Sequence, residues 1–465
     1  MTDPVRTHAE ARPEAEALVT ETGTCTWADL DARVGAAARH LGEGPERVAV
    51  LARTSPDLVV LVLASLRAGR TLVPLSTRWT EAAVAGALAR LGVERLIVGP
   101  EQAAPAGPEA VPLADVVREA GAASGGDLNL NRPWTVVHTS GSTGAPKAAL
   151  HTVGNHVWSA RGVIERMDLR AGDRWLLDLP LYHVGGLGVV VRCALAGAAV
   201  AVPEPGTPTA EAVARFRPTH ASLVATQLRR LLDADADLSS FRAVLLGGSA
   251  IPADLLDEAV RRGVPVATSY GLTEMTSTVT ATAPGASREA IATSGTVLPH
   301  REVRVTEAGE IEVGGLALFA GYLTPDGLDA PGVWHPTGDL GHLDAAGRLV
   351  VTGRRDLMFV SGGENVQPEA IEAALLRLDA VAEALVVPVA DAEFGHRPVA
   401  FARSASEDAL DPEAVRAALR SDLPGFMVPV AVYAWDGAGG MKPDRPALAS
   451  EAERRAAKEE PSGGG

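Results

Sequence analysis

At 465 residues the chain is long enough for two or three domains, and a hydrophobic content of 46% excludes disorder as its main state. A net charge of −16 and a pI near 5.2 argue against nucleic acid as the main partner, so an anionic substrate needs a local cluster of cations or a metal ion. Two cysteines, Cys25 and Cys193, are too few for a disulfide framework or a Cys-based metal site and fit a reducing cytoplasm.

The first residues, Met1-Thr-Asp-Pro-Val-Arg6, lack the apolar core of a signal peptide. Residues 1 to 100 alternate helix-like and strand-like patterns. Thr26 opens a helical segment as a capping residue. Arg47-Val-Ala-Val-Leu51 reads as a strand, Pro56 to Leu66 as a helix, and Thr71 to Leu75 and Leu96 to Gly99 as further strands. Such alternation implies a largely parallel, helix-covered sheet. Residues 101 to 132, rich in Ala, Gly and Pro, read as a loose connection.

Trp134 to His138 is a β-branched and aromatic strand that feeds Thr139-Ser-Gly-Ser-Thr-Gly-Ala-Pro-Lys147. Residues 148 to 158 then read as a helix. Glycines let backbone amides approach a phosphate, hydroxyls donate hydrogen bonds, and a lysine supplies a point charge. A Ser/Thr/Gly cluster alone is more often a surface turn. The lysine changes the balance, because the chain has only three, Lys147, Lys442 and Lys458, against a large majority of arginines. A lysine retained in such a chain marks a place that needs a compact, mobile ammonium. Lys458 falls in a polar tail, which leaves Lys147 and Lys442.

Trp175 to Leu179 reads as a strand ending at Pro180, followed by Leu181-Tyr-His-Val-Gly-Gly-Leu187. His183 sits where pockets form beyond strands of open α/β sheets, although capping the next helix is an equal alternative. The apolar stretch Leu181 to Val202 is interrupted by His183, glycines and Arg192, and reads as buried structure, not a membrane span. Ala198 to Val202 and Ala243 to Ala250 are strands. The second contains Gly247-Gly248-Ser249, small enough to admit a flat ring. Val264 to Glu274 is a strand running into a turn, and Glu274 there is suited to a hard metal ion bridging phosphates, although a lone carboxylate is usually just solvated.

From about residue 295 the pattern becomes antiparallel, with Glu302 to Val305, Glu310 to Val313 and Arg348 to Val351 alternating with turns. Asp339 follows a Gly turn. A charged segment beginning at Gly353-Arg354 leads to Ser361-Gly362-Gly363. Pro368 to Arg377 is an amphipathic helix, Ala384 to Val389 and Val399 to Ala402 are strands, and Asp411 to Leu419 is a helix. These form a small α+β unit of usual domain size, with Lys442 in a glycine-rich loop near its end.

Five ordered motifs, Thr139 to Lys147, Tyr270-Gly-Leu-Thr-Glu274, Thr337-Gly-Asp339, Gly353-Arg354 and Lys442, resemble those of the acyl-adenylate-forming ligases, a superfamily of acyl-CoA synthetases, adenylation domains and beetle luciferases. The resemblance runs from about residue 10 to about residue 450. Within the superfamily, Leu179 to Leu187, Thr219 to Leu228, Ser361 to Glu369 and Pro388 to Pro398 are similar to the succinylbenzoate–CoA ligase family of menaquinone biosynthesis. Around Lys442 the chain has Gly-Gly-Met-Lys where the superfamily usually has Pro-x-Gly-Lys.

The resemblance implies an α/β fold: a large amino-terminal domain of helix-covered sheets with a small β-barrel-like part, then a small mobile α+β domain. The expected limits are 1–355 and 356–450, with 451–465 a disordered tail. It implies ATP, Mg2+ and coenzyme A as reactants and cofactor, with an aromatic carboxylate as the acid. Lys442, Lys147 and His183 are the expected catalytic residues. Nucleotide contacts fall to Thr139, Ser140, Gly141, Ser142, Thr143, Gly144, Lys147, Gly248, Ser249, Tyr270, Gly271, Thr273, Asp339, Arg354 and Lys442, and the metal to Glu274. His183, Ser222, Thr226 and Gly247 are expected at the acyl site, with Gln227 and Arg192 as further candidates by position for a second substrate carboxylate. Asp356 is the expected hinge, and Ser361, Gly362 and Gly363 the loop beside a thiol tunnel. Neither nucleic acid nor stable membrane insertion is expected, and a homo-oligomer stays open. Alternatives are a CoA ligase for another acid, an enzyme that loads a carrier-protein thiol, and an inactive nucleotide-binding homologue.

Overall fold

The computed structural model describes residues 1–118, 126–139, 146–248, 251–391, 393–406, 408–436 and 444–459. Two large sheets enclose a layer of helices. The nine-stranded sheet is parallel through its middle, where Val266–Leu272, Ala243–Leu246, His220–Leu223, Arg174–Leu176, Ala199–Ala201 and Glu16–Thr20 lie side by side. In the eight-stranded sheet Arg95–Val98, Arg47–Leu51, Thr71–Pro74 and Pro133–Thr139 are parallel neighbours. The helices Trp27–Gly42, Pro56–Ala68, Val153–Met167 and Val184–Ala196 supply the apolar layer between them, with Trp27, Trp134 and Trp175 among its largest buried side chains.

Local chemistry explains the helix starts. The Thr26 hydroxyl accepts from the Asp29 amide while the Asp29 carboxylate accepts from the Thr26 amide, a reciprocal cap. Ser55 caps the next helix, whose first residue is Pro56. Among the described residues no helix is long and apolar enough to cross a membrane.

Three expectations need correction. Residues 101–132 are not simply a loose connection: Glu109–Pro112 extends the eight-stranded sheet, and helix Leu113–Val117 buries Leu113, Val116 and Val117. The segment after the lysine is first a strand, Lys147–Thr152, paired antiparallel with Pro133–Thr139, and only then the helix Val153–Met167. Ala148, Ala149 and Leu150 favour helix by propensity, but burial on both faces of the sheet overrides it. Of the tail expected to be disordered over 451–465, residues 451–459 are instead the second half of helix Arg445–Glu459, with Ala452 fully buried against the face formed by Leu385, Val387 and Phe401, and 460–465 lie outside the described residues.

The part expected to be barrel-like is a four-stranded antiparallel sheet of Glu302–Val305, Glu310–Gly314, His335–Leu343 and Leu349–Arg354. The chain then passes, between Arg354 and Phe359, into a separate five-stranded sheet with its own two-sided core.

Candidate active site

The parallel strands of the nine-stranded sheet end beside one another, and the motif residues follow those ends. Gly247 leaves Ala243–Leu246, where a Cβ would stand 2.5 Å from the Ser269 hydroxyl, so only glycine lets the two strand ends approach. Gly271 is equally confined, with a Cβ falling 2.2 Å from the Ser277 carbonyl oxygen. Gly248 is exposed, with φ +88°.

Tyr270 reaches from Val266–Leu272 to the small sheet, where its hydroxyl donates to Asp339 Oδ2 at 2.5 Å. Arg354 Nη1 donates to Asp339 Oδ1 at 3.0 Å, while its Nε and Nη2 reach Asp356 at 2.8 and 3.1 Å. Tyr270, Asp339, Arg354 and Asp356 therefore form one chain of charge-assisted bonds. Its electrostatics are consistent: burial first, then the Asp339 charge, holds the Tyr270 phenol well above its ordinary value. The hydrogen bonds that Arg354 donates to Asp356 raise its guanidinium further. Burial would raise Asp356, but the Arg354 hydrogen bond and charge outweigh it and the carboxyl is lowered. A carboxylate held in this way, half-buried on an inner strand of the small sheet, suits vicinal hydroxyls.

A second group lies where Val266–Leu272 turns. Glu274 accepts a hydrogen bond from the Tyr322 hydroxyl, and the Lys147 ammonium lies 4.9 Å over the Tyr322 ring. Thr273 is fixed through its carbonyl by His151 Nε2 at 2.7 Å. Burial lowers His335 beside this group; the Glu274 charge opposes that shift and Lys147 adds to it. Glu274 has no ion-pair partner among the described residues, and no cluster of three or more His, Cys, Asp or Glu there could hold a metal ion alone. One unpaired carboxylate beside an ammonium fits a Mg2+ ion that arrives with phosphates, since such ions take one or two carboxylates plus substrate oxygens. Sequence reasoning missed Tyr322, which is 48 residues from Glu274 in the chain. The available signal was an aromatic residue after Gly321, a position with φ +143°.

On the acyl side the outcome is mixed. His183 is exposed, occupies the N-cap position of Val184–Ala196 without a capping side-chain bond, and packs edge-on against Tyr182 at 4.6 Å. Ser222 is buried, and its hydroxyl accepts from Trp175 Nε1 at 3.2 Å and from Arg192 Nη1 at 3.4 Å. Arg192 is 1% exposed, lies 4.5 Å over the Trp175 ring and donates to the Gly188 carbonyl. Burial pushes its guanidinium down to about 10, and among the described residues no carboxylate pairs with it. Thr226 is exposed, while Gln227 is occupied as a brace that donates to the Asp178 carboxylate at 2.9 Å.

In the smaller lobe Ser361 is fully buried, its hydroxyl without a hydrogen-bond partner among the described residues, and Gly362 and Gly363 are exposed at φ +58° and +89°. Gln367 Nε2 donates to the Arg354 carbonyl at 2.8 Å, tying this lobe to the connection. Thr139 is half-buried at the end of Pro133–Thr139. Ser140, Gly141, Ser142, Thr143, Gly144, Ser249 and Lys442 lie outside the described residues.

Comparison with known proteins bears on this geometry. The AMP-binding enzyme family matches residues 5–323, and the AMP-binding enzyme C-terminal domain matches residues 370–438. A 2-succinylbenzoate–CoA ligase of Salmonella typhimurium is 36% identical over 413 residues, 87% of each chain. An arginine-to-lysine variant of Escherichia coli MenE with bound OSB-AMS has a TM-score of 0.86 at 31% identity, covering 97% of this chain and 98% of that one. The o-succinylbenzoate coenzyme A synthetase of Bacillus subtilis in complex with ATP and magnesium ion has a TM-score of 0.87 at 27% identity, covering 96% and 99%. The chain belongs to the AMP-binding enzyme family, in the branch formed by the 2-succinylbenzoate–CoA ligases.

Proposed function

We propose that this chain is an AMP-forming acid–thiol ligase that converts 2-succinylbenzoate, ATP and coenzyme A to 2-succinylbenzoyl-CoA, AMP and pyrophosphate, a step of menaquinone biosynthesis. A carboxylate does not react with a thiol at neutral pH because oxide would have to leave. In the first half-reaction a carboxylate oxygen bonds to the α-phosphorus of ATP and pyrophosphate departs. In the second the coenzyme A sulfur attacks the acyl carbon, its proton is released, and AMP departs.

The first step brings anions together and needs charge neutralisation and orientation. Lys442 is assigned to bridge the acid and the α-phosphate, and Lys147, Thr139 and the hydroxyls of Ser140, Ser142 and Thr143 to the outer phosphates. Glu274 would hold Mg2+, which when bound offsets phosphate charge. Asp339, braced by Tyr270 and Arg354, is assigned to the ribose hydroxyls, and Gly248, Ser249 and Tyr270 to the border of the adenine. His183 would border the entry of the thiol. The second step is assigned to a rotation about Asp356 that brings Ser361, Gly362 and Gly363 to the adenylate. A cytoplasmic location is supported by the unpaired Cys25 and buried Cys193.

The observation that supports a dicarboxylate is Arg192, a fully buried guanidinium without an acidic partner among the described residues. A buried charge of this kind is costly unless something completes it, and the second carboxylate of succinylbenzoate would do so. The test is coenzyme A-dependent AMP release across succinylbenzoate, benzoates and short fatty acids, for the wild type and Arg192→Met. Succinylbenzoate should be the best substrate. The variant should lose about 100-fold or more in kcat/KM for it, the scale of breaking a buried ion pair, with little change for benzoate. Equal losses on both acids, or a wild-type preference for a monocarboxylate, would overturn the reading.

A further inference from the structure

Tyr322 has no role in the scheme above, yet it touches both the carboxylate assigned to Mg2+ and the lysine assigned to the outer phosphates. Its hydroxyl donates to Glu274 Oε1, and its ring lies under the Lys147 ammonium at 4.9 Å. The contact follows from the sheet: Gly321–Thr324 pairs antiparallel with Lys147–Thr152, placing Tyr322 opposite Ala149, two residues beyond the lysine. The ring is fixed on its other sides. Phe319 meets it edge-on with centroids 4.8 Å apart, and His335 lies 6.4 Å away at 62°. The Phe319 amide donates to the Glu274 carbonyl at 2.8 Å, so the segment 319–322 holds Glu274 by backbone and by side chain.

A tyrosine kept only for packing would need no polar partner so specific. The hydroxyl fills a lone pair of one carboxylate oxygen and leaves Oε2 for a cation. The aromatic face attracts the ammonium electrostatically and holds it near the same place. We propose that Tyr322 is a positioning residue that sets the Glu274 carboxylate for the divalent cation and the Lys147 ammonium for the phosphates before ATP arrives. The hydroxyl and the ring carry separable parts of this task. The inference rests on the ligase reading only in requiring that ATP bind with a divalent cation.

The test is calorimetric titration of the full chain with ATP, without acid or coenzyme A, in EDTA and then over a series of MgCl2 concentrations. Tyr322→Phe keeps the ring and loses the hydroxyl. It should raise the Mg2+ concentration for half-maximal effect roughly 10- to 100-fold, the range for losing an outer-shell partner of a metal ligand. Its affinity for ATP in EDTA should stay at the wild-type value. Tyr322→Leu removes both parts and should weaken ATP binding in EDTA as well. In a Glu274→Gln background, Tyr322→Phe should make no further difference. Unchanged or lower Mg2+ demand in Tyr322→Phe, or identical behaviour of the Phe and Leu variants, would overturn the proposal. Absence of any ATP binding by the wild type would instead overturn the ligase reading.

Discussion

Asp339 shows how a single side chain can be prepared for a ligand. One oxygen takes the Tyr270 hydroxyl and the other the Arg354 guanidinium, so its orientation is fixed from two sides. If sugar hydroxyls dock on it as proposed, such a group loses no rotamer freedom, which is where preorganised sites gain affinity. Asp339→Ala removes the acceptor and leaves two donors unmatched. With each charge-assisted hydrogen bond worth about 1.5–3 kcal/mol, KM for ATP should rise roughly 10- to 100-fold in a pyrophosphate-exchange assay. The KM for the acid should move little, and a variant with unchanged KM for ATP would remove Asp339 from the ribose site. Tyr270, Asp339, Arg354 and Glu274 were legible in the sequence because each sits in a short motif with glycine or threonine neighbours. Tyr322, Gln367 and the brace role of Gln227 were not, since their partners are brought by the fold: 48 residues away for Tyr322, 13 for Gln367 and 49 for Gln227.

Elements show the same division. Arg47–Leu51 was readable to the residue because Val48 to Leu51 is an unbroken apolar run and its burial is continuous, and the start of Trp27–Gly42 because Thr26 and Asp29 cap each other locally. The hairpin Pro133–Thr139 with Lys147–Thr152 was half hidden, since nothing local in Ala148-Ala-Leu150 announces strand pairing. Helix Arg445–Glu459 looked like a polar tail, because its stability comes from burying Ala452 and from pairs such as Arg455 with Glu451, not from an apolar run. The hairpin also carries a pH liability. His138 and His151 lie on its strands, and His156 on the following helix donates to or accepts from Thr135 at 2.7 Å. Burial lowers all three, pushing His138 down to about 4 and His156 well below its ordinary value. Unfolded, each would take a proton as pH falls through about 6.5; folded, each resists it. The unfolded state then binds more protons, so stability is complete above that value and is lost progressively below it. Thermal melts should show the midpoint falling from pH 7 to pH 5, and His156→Gln should flatten that slope. A midpoint independent of pH over this interval would contradict neutral burial.

For the whole molecule the question is how one chain serves two half-reactions. The connection between the lobes is held by exchangeable polar contacts: Arg354 with Asp339 and Asp356, Gln367 with the Arg354 carbonyl, and Arg355 with Glu310 at 2.6 Å. Contacts of this kind can be traded for others at small net cost, unlike a buried apolar interface. Within the smaller lobe the arrangement is stiffer. Arg445, three residues after Lys442, pairs with Glu372 at 2.8 Å and donates to the Val386 carbonyl, while Glu372 also accepts from the Val386 amide at 2.7 Å. Burial raises the Glu372 carboxyl, and the Arg445 charge is the largest influence opposing it. The start of helix Arg445–Glu459 is thereby tied to a core strand, and under the proposed rotation that helix would move with the lobe. Two outcomes follow for half-reactions measured apart. Lys442→Ala should abolish adenylate formation, read as pyrophosphate release, yet spare the reaction of coenzyme A with a supplied acyl-adenylate. Glu372→Ala should slow the first half-reaction roughly 100-fold, the scale on which about 1 Å of misplacement acts, and leave the second within about 3-fold, since the acyl transfer is assigned to the opposite orientation. Equal losses in both assays for Lys442→Ala would mean that the lysine serves both orientations, and the division of labour between them would have to be abandoned.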